Sequence, residues 1–243
     1  MKIHGLYLVL TVVSILAHAE LQTTNRLDSK KMIGGWETTG ADGATGQMIV
    51  IEDLLSITYY KSNPNEFVAT WGGKWTTTPG GLEIHWEFNT AMKELVGQTK
   101  VLDAEFQDDV LTLDGNKWRR IDDGSPGSLN GAWVITGRVR DGEVSTRTPG
   151  ARKTMKILSG TFFQWIAYNS ETGDFSGTGG GKYTSIDGKY TEAIRFFSRD
   201  NTRVGATLEF DYQLKDGQWH HMGKSSRGEP LYEIWSTRKS LGI

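Results

Sequence analysis

Two carboxylates, a tyrosine and a pair of histidines in the C-terminal half have the side chains best suited to acid–base chemistry. Glu192 and Glu233 fall in strand-like stretches, where successive side chains face opposite ways. Glu192 therefore shares a face with Tyr190, Ile194 and Phe196, and Glu233 shares one with Leu231, Trp235 and Thr237. An ionised carboxylate among apolar neighbours is costly unless it is paired. Such groups often have the displaced pKa values that proton transfer exploits. The plainer alternative ties each Glu to a cation or backbone amide, with Arg238 near Glu233 in sequence, and makes Tyr190 ordinary core. His220 and His221 are adjacent, so on a strand only one faces inward; an imidazole titrates close to neutral pH and suits a general acid or base. Trp219 decides which: if it packs outward, His220 faces the interior, and that is the expected arrangement. Trp165, aligned with Phe163 and Ala167, offers either a flat platform for a sugar ring or simple core. Lys182 is either a partner for a substrate carboxylate or a solvated surface residue.

Several familiar chemistries have no support. There is no Gly-x-Ser-x-Gly, no His-Glu-x-x-His and no cysteine. Residues 177–182 (GTGGGK) superficially resemble a phosphate loop, but Tyr183 stands where Ser or Thr must bind magnesium and a strand follows. Those glycines fit a bulge or a close strand approach better. Of five histidines, His4 and His18 lie in the leader, His85 is alone, and His220 and His221 diverge, so no metal site is expected.

The elements that would position these groups are written twice. Residues 71–88 read WGGKWTTTPGGLEIHWEF and residues 179–197 read GGGKYTSIDGKYTEAIRFF. Each copy is preceded by a Gly-x-Trp, Gly34-Gly35-Trp36 and Gly131-Ala132-Trp133, and followed by an Asp-Gly-x-(Lys)-Trp, ending at Trp118 and Trp219. A period of about a hundred residues is a whole small domain rather than a solenoid unit. Alternation dominates: Val204, Ala206, Leu208, Phe210 and Tyr212 form one face, with polar residues between them. Asp187-Gly188 and Asp216-Gly217 are hairpin turns. Only Thr90 to Val96 has some helical character. The pattern predicts an all-β chain of two tandem antiparallel β-barrel modules, the first shorter and degenerate, that hide their strand edges.

Residues 1–19 read as a cleaved signal peptide: Lys2, an apolar run from Gly5 to Leu16, then Ala17-His18-Ala19. The apolar run is too short to span a bilayer of roughly 30 Å as a helix, so no stable membrane insertion is expected. A polar lead-in, 20–32, precedes the modules at 33–123 and 129–243, separated by Ser125-Pro126-Gly127-Ser128. The lead-in is expected to be flexible. The absence of cysteine in an exported chain points to a bacterial periplasmic or secreted protein. From Ile33 to Asp123 seven Lys/Arg face fifteen Asp/Glu, net −8; from Gly124 to Ile243 sixteen face twelve, net +4. The basic second module suits a small anionic ligand and is too weakly and diffusely charged for nucleic acid.

An opening Gly-x-Trp, with an Arg from the closing strand covering its indole, is similar to the calycin pattern of lipocalins and fatty-acid-binding proteins. The second module resembles a group of exported lipocalin-like bacterial proteins through Lys156-Ile157-Leu158 with Phe163 and Trp165, residues 179–192, residues 217–223 (GQWHHMG), and Glu233-Ile234-Trp235 with Arg238. The first module lacks the Tyr-x-Glu and Glu-x-Trp stretches and matches loosely; its default role is structural, as a docking partner or lid. Proteins of this kind are found beside polysaccharide-degrading enzymes in marine bacteria, where a similar chain is an oligosaccharide dehydratase on ulvan fragments. The resemblance implies a cofactor-free lyase that eliminates water from the non-reducing-end uronate of a small anionic oligosaccharide. Its cast here is His220 as base, Tyr190 as acid, Glu192 and Glu233 as orienting groups, Trp165 as sugar platform and Lys182 on the substrate carboxylate. The alternative is a non-catalytic binder of a small apolar or glycan ligand.

Overall fold

The computed structural model describes residues 27–107, 109–225 and 228–243. The expected signal peptide, residues 1–19, and the lead-in up to residue 26 lie outside the described residues. The first sheet comprises β1 (Gly34–Thr39), β2 (Thr45–Val50), β3 (Leu54–Ser62), β4 (Asn65–Thr78), β5 (Gly81–Asn89), β6 (Thr99–Leu102), β7 (Ala104–Gln107), β8 (Val110–Leu113) and β9 (Asn116–Asp122). The second comprises β10 (Gly131–Arg140), β11 (Glu143–Thr146), β12 (Arg152–Leu158), β13 (Phe162–Asn169), β14 (Phe175–Ile186), β15 (Lys189–Phe197), β16 (Thr207–Lys215), β17 (Gln218–Lys224) and β18 (Pro230–Thr237).

Both sheets are antiparallel. The first runs β6-β5-β4-β3-β2-β1-β9-β8-β7 and is nearly closed. In the second, β10 pairs with both β12 and β18, closing an eight-stranded barrel with β11 as an added edge strand. Two tandem barrels are thus present, compatible with a lipocalin-like fold. Asp-Gly pairs make the turns: Asp187 and Gly188 sit at φ 50° and 76°, Asp216 and Gly217 at 53° and 74°, the mirror-image turn that matches strand twist. The helical character expected at Thr90–Val96 reduces to a 3-10 turn, Lys93–Leu95.

The repeated Gly-x-Trp does the same work twice. Trp36 Nε1 donates to Met32 O and Trp133 Nε1 to Leu129 O, each at 2.9 Å, which pins the segment entering each barrel. The end of the lead-in is consequently packed rather than free. Asp28 caps a one-turn helix, α1 (Ser29–Met32), and Leu27 and Met32 are buried in the first barrel's core. The covering Arg lies in the module expected to be degenerate: Arg120, on the closing strand β9, places its guanidinium 4.1 Å from the Trp36 ring. It also donates to the carbonyls of Ile33 and Lys31.

Arg238, expected in that covering role for the second module, goes elsewhere. It starts a terminal turn, α2 (Arg238–Leu241), and crosses to the first barrel, where it pairs with Glu87 on both carboxylate oxygens at 2.8 and 2.6 Å. Tyr168 donates to the same carboxylate at 2.6 Å. Around this knot an apolar layer joins the barrels, with Ile49, Leu54 and Phe88 on one side and Met155, Ile157, Phe162 and Ile166 on the other.

Candidate functional site

The lumen of the C-terminal barrel gathers more polar side chains than a structural core needs. Tyr190, Glu192 and Ile194 alternate inward along β15 as the spacing predicts, all buried. One row of cross-strand neighbours runs Trp133, Lys156, Trp165, Gly179, Phe197 around the wall. Lys156 is the lumen's cation: its Nζ lies 2.8 Å from Glu192 Oε1, with both side chains almost fully buried. The same Nζ sits 4.8 Å from the Tyr190 ring centre, 4.9 Å from Trp219, 5.5 Å from Trp235 and 5.8 Å from Phe210. The aromatic faces and the carboxylate together replace its water.

The expected face of β17 is reversed. Trp219 is wholly buried in the lumen and His221 follows it inward, leaving His220 outside with its Nδ1 3.0 Å from Tyr232 Oη. The physical reason is area: burying an indole outweighs burying either imidazole, so Trp219 sets the register and His221 shares its side. His221 stacks 4.2 Å from the Phe210 ring and lies 5.6 Å from that of Tyr190. Burial, then the charge of Lys156, holds its pKa well below the ordinary imidazole value. Burial, then the Glu192 carboxylate, raises the Tyr190 phenol well above its usual range.

Two other residues lie off the inner face. Lys182 is exposed on the outer face of β14, opposite the inward Tyr183, which is the solvated alternative, and the cation on the inner face is Lys156. Phe196 leaves the lumen: a bulge at Arg195, where Gly180 pairs with Phe196 and Gly181 with Ile194, turns Phe196 out against Tyr60 of the first barrel and Phe197 in against Trp165. Trp165 keeps its place on the lumen face, half-buried beside Lys156. Glu233 also faces inward, and its partner is Arg138 at 3.1 Å rather than Arg238.

Glu233 lies between a half-exposed arginine and the buried His221. Its cross-strand neighbours are Arg138 on one side and His221 on the other, and side-chain exposure falls from 51% at Arg138 to 11% at Glu233. A groove of about 280 Å³ lined by Arg138, Arg140, Leu231, Tyr232 and Glu233 opens at this point. Arg147, whose Nε donates to Ile135 O, lies near Arg138 outside the groove lining; burial and then repulsion from Arg138 lower its pKa.

Inside, three buried polar atoms have no hydrogen-bond partner among the described residues, His221 Nδ1, Trp219 Nε1 and Trp235 Nε1, while the Tyr190 phenol is turned towards the Glu192 carboxylate. Native interiors leave few such groups unpaired. Here they surround one ion pair. Lys156, Arg138 and His221 were the members that sequence reasoning missed or misplaced. The available signal for Lys156 was a lone cation on the face shared with Leu158. Among the described residues no group of three or more His, Asp or Glu could hold a metal ion, and no helix is long and apolar enough to cross a membrane. No protein-family model and no curated protein matches the chain.

Proposed function

We propose that the protein is a lipocalin-like binder of a small ligand that presents acceptor oxygens, a sugar acid above all, to the mouth and lumen of the C-terminal barrel. The observation that supports this reading is the set of three unpaired polar atoms around Lys156–Glu192, together with a surface groove that carries Arg138 and reaches Glu233, the cross-strand neighbour of His221. An apolar ligand would leave these donors unpaired, whereas ligand hydroxyl and carboxylate oxygens satisfy them. Arg138 and Arg140 are the groove cations that an entering carboxylate would meet. The leader-like residues 1–19 support export as the setting.

A second reading, the dehydratase, draws on one specific observation. His221 and Lys156, a base and a cation, both pack against the ring of Tyr190, an acid. In an elimination, His221 takes the proton α to the uronate carboxylate, and the electron pair forms the new double bond to the β carbon. The β-hydroxyl leaves with the Tyr190 proton as water, and Lys156 stabilises the charge that builds on the carboxylate. His221 replaces His220 as base in this scheme.

Calorimetric titration of the full chain with glucuronate, a uronate-ended disaccharide and laurate tests both. Binding of the acidic sugars that weakens in Arg138→Gln and His221→Phe is expected. Laurate alone binding would make the protein an apolar carrier, and no binding of any probe would overturn the proposal. Growth of the ultraviolet band of a conjugated unsaturated uronate, abolished in His221→Phe, separates turnover from binding.

A further inference from the structure

The N-terminal barrel has an aromatic cavity of its own. Its volume is about 180 Å³, and it is lined by Tyr59, Trp71, Trp86 and Trp118, by aliphatic side chains, and by Asp114, Asn116 and Asn89 as the polar members. Tyr59 and Trp71, both half-buried, stack with centroids 5.4 Å apart and planes 26° apart. Trp118 stands edge-on to Tyr59 at 6.1 Å. The barrel's other tryptophans show what a satisfied indole looks like here: Trp36 donates to Met32 O and Trp75 to Ile51 O, each at 2.9 Å. Trp86 and Trp118 differ. They are 3% and 1% exposed, and neither Nε1 has a partner among the described residues.

Each feature narrows the occupant. Two buried indole N–H groups need acceptor oxygens, which a hydrocarbon chain lacks. Flat ring faces beside an amide and a carboxylate suit a ligand with an apolar C–H face and hydroxyl edges. The volume lies below the roughly 300–1,000 Å³ of drug-sized sites and suits one ring. The module's net −8 disfavours an anionic ring. We infer that the N-terminal barrel is a second, independent binding site that takes one neutral sugar ring of a glycan against the wall formed by Trp71, Tyr59 and Trp118. It stands apart from the C-terminal lumen, so either site can fail without the other.

Calorimetric titration of the full chain with the methyl glycosides of glucose, xylose and rhamnose tests it, with laurate and glucuronate run alongside. At least one neutral glycoside binds, and Trp71→Ala weakens it roughly tenfold by removing the stacking face. Trp118→Phe, which keeps a ring and removes the N–H, also weakens it; circular dichroism establishes that both variants fold. Three outcomes overturn the inference: none of the neutral glycosides binds, their binding ignores both substitutions, or laurate binds in a Trp71-dependent way. Glucuronate titrated into the same variants reads the C-terminal site separately.

Discussion

Lys156 exchanges its hydration for the Glu192 carboxylate and the faces of four rings. That exchange holds only while both partners are present. Glu192→Gln leaves an ammonium group buried against aromatic faces alone, and the expected loss is about 3–5 kcal/mol in urea unfolding. Replacing both together, Lys156→Met with Glu192→Leu, recovers most of it, because no charge is then stranded. His221 adds a pH dependence of known sign. Its folded pKa is depressed, by burial first and by Lys156 second, while the unfolded chain takes up a proton near pH 6.5. Below that value the unfolded state binds the extra proton, so stability is complete above about pH 6.5 and falls as the pH drops, by up to roughly 1.4 kcal/mol per unit. Urea midpoints measured between pH 6.5 and 5 should show this slope, and His221→Phe should flatten it. An unchanged slope would mean that the imidazole is not sealed in the lumen.

At the scale of the elements, period-two alternation was readable wherever the strand ran straight. β15 and β16 present Tyr190, Glu192, Leu208 and Phe210 to the interior as their spacing implies. It failed at the bulge, because an extra residue inverts every face beyond it and Arg195 has no sequence mark of its own. The mark lay on the partner strand, in the glycines. A Cβ on Gly181, at φ +156°, would lie 2.1 Å from Ala193 O; one on Gly73, at the matching bulge of the first barrel, would lie 1.9 Å from His85 O. The Gly-Gly-Lys run repeated in the two copies is therefore a requirement of bulge geometry rather than a phosphate loop. Gly73→Ala and Gly181→Ala should each cost on the order of 3 kcal/mol or more. Gly115→Ala, at φ +77° with nothing within 4 Å of a Cβ, should cost only about 1 kcal/mol. Chemical denaturation of the three variants checks that order. The parity of β17 was beyond any count of alternation, since Gln218 to Met222 reads equally well on either face until Trp219 is known to be inside.

For the molecule as a whole, the decisive contacts join the barrels and lie far apart in sequence, which is why no local pattern disclosed them. Gln164 of β13 accepts from Ser56 at 2.5 Å and donates to Thr70 at 2.9 Å, both in the first sheet. Asp122, where the chain leaves that sheet, accepts from Gly35 N, Gly124 N, Gly160 N and Ser159 Oγ. Arg238 closes the layer on Glu87. Burial opposes ionisation of Glu87, yet the hydrogen bonds and charge of Arg238 outweigh it and hold its pKa below the usual carboxylate value. This contribution is complete above the unfolded carboxylate pKa of about 4.3 and disappears as the pH falls through the folded value. With an apolar layer and a sealed ion pair between them, the two barrels should unfold together, so far-ultraviolet and near-ultraviolet dichroism should trace one coincident transition. Arg238→Met strands a buried carboxylate at that layer and should cost about 3–5 kcal/mol near neutral pH. Because the two barrels keep separate interiors, the same substitution should also separate the transition into two. Adding Glu87→Met should restore most of the stability and the single transition, since a neutral layer keeps its packing. If Arg238→Met unfolds in one step at the wild-type midpoint, the barrels are not coupled through this pair.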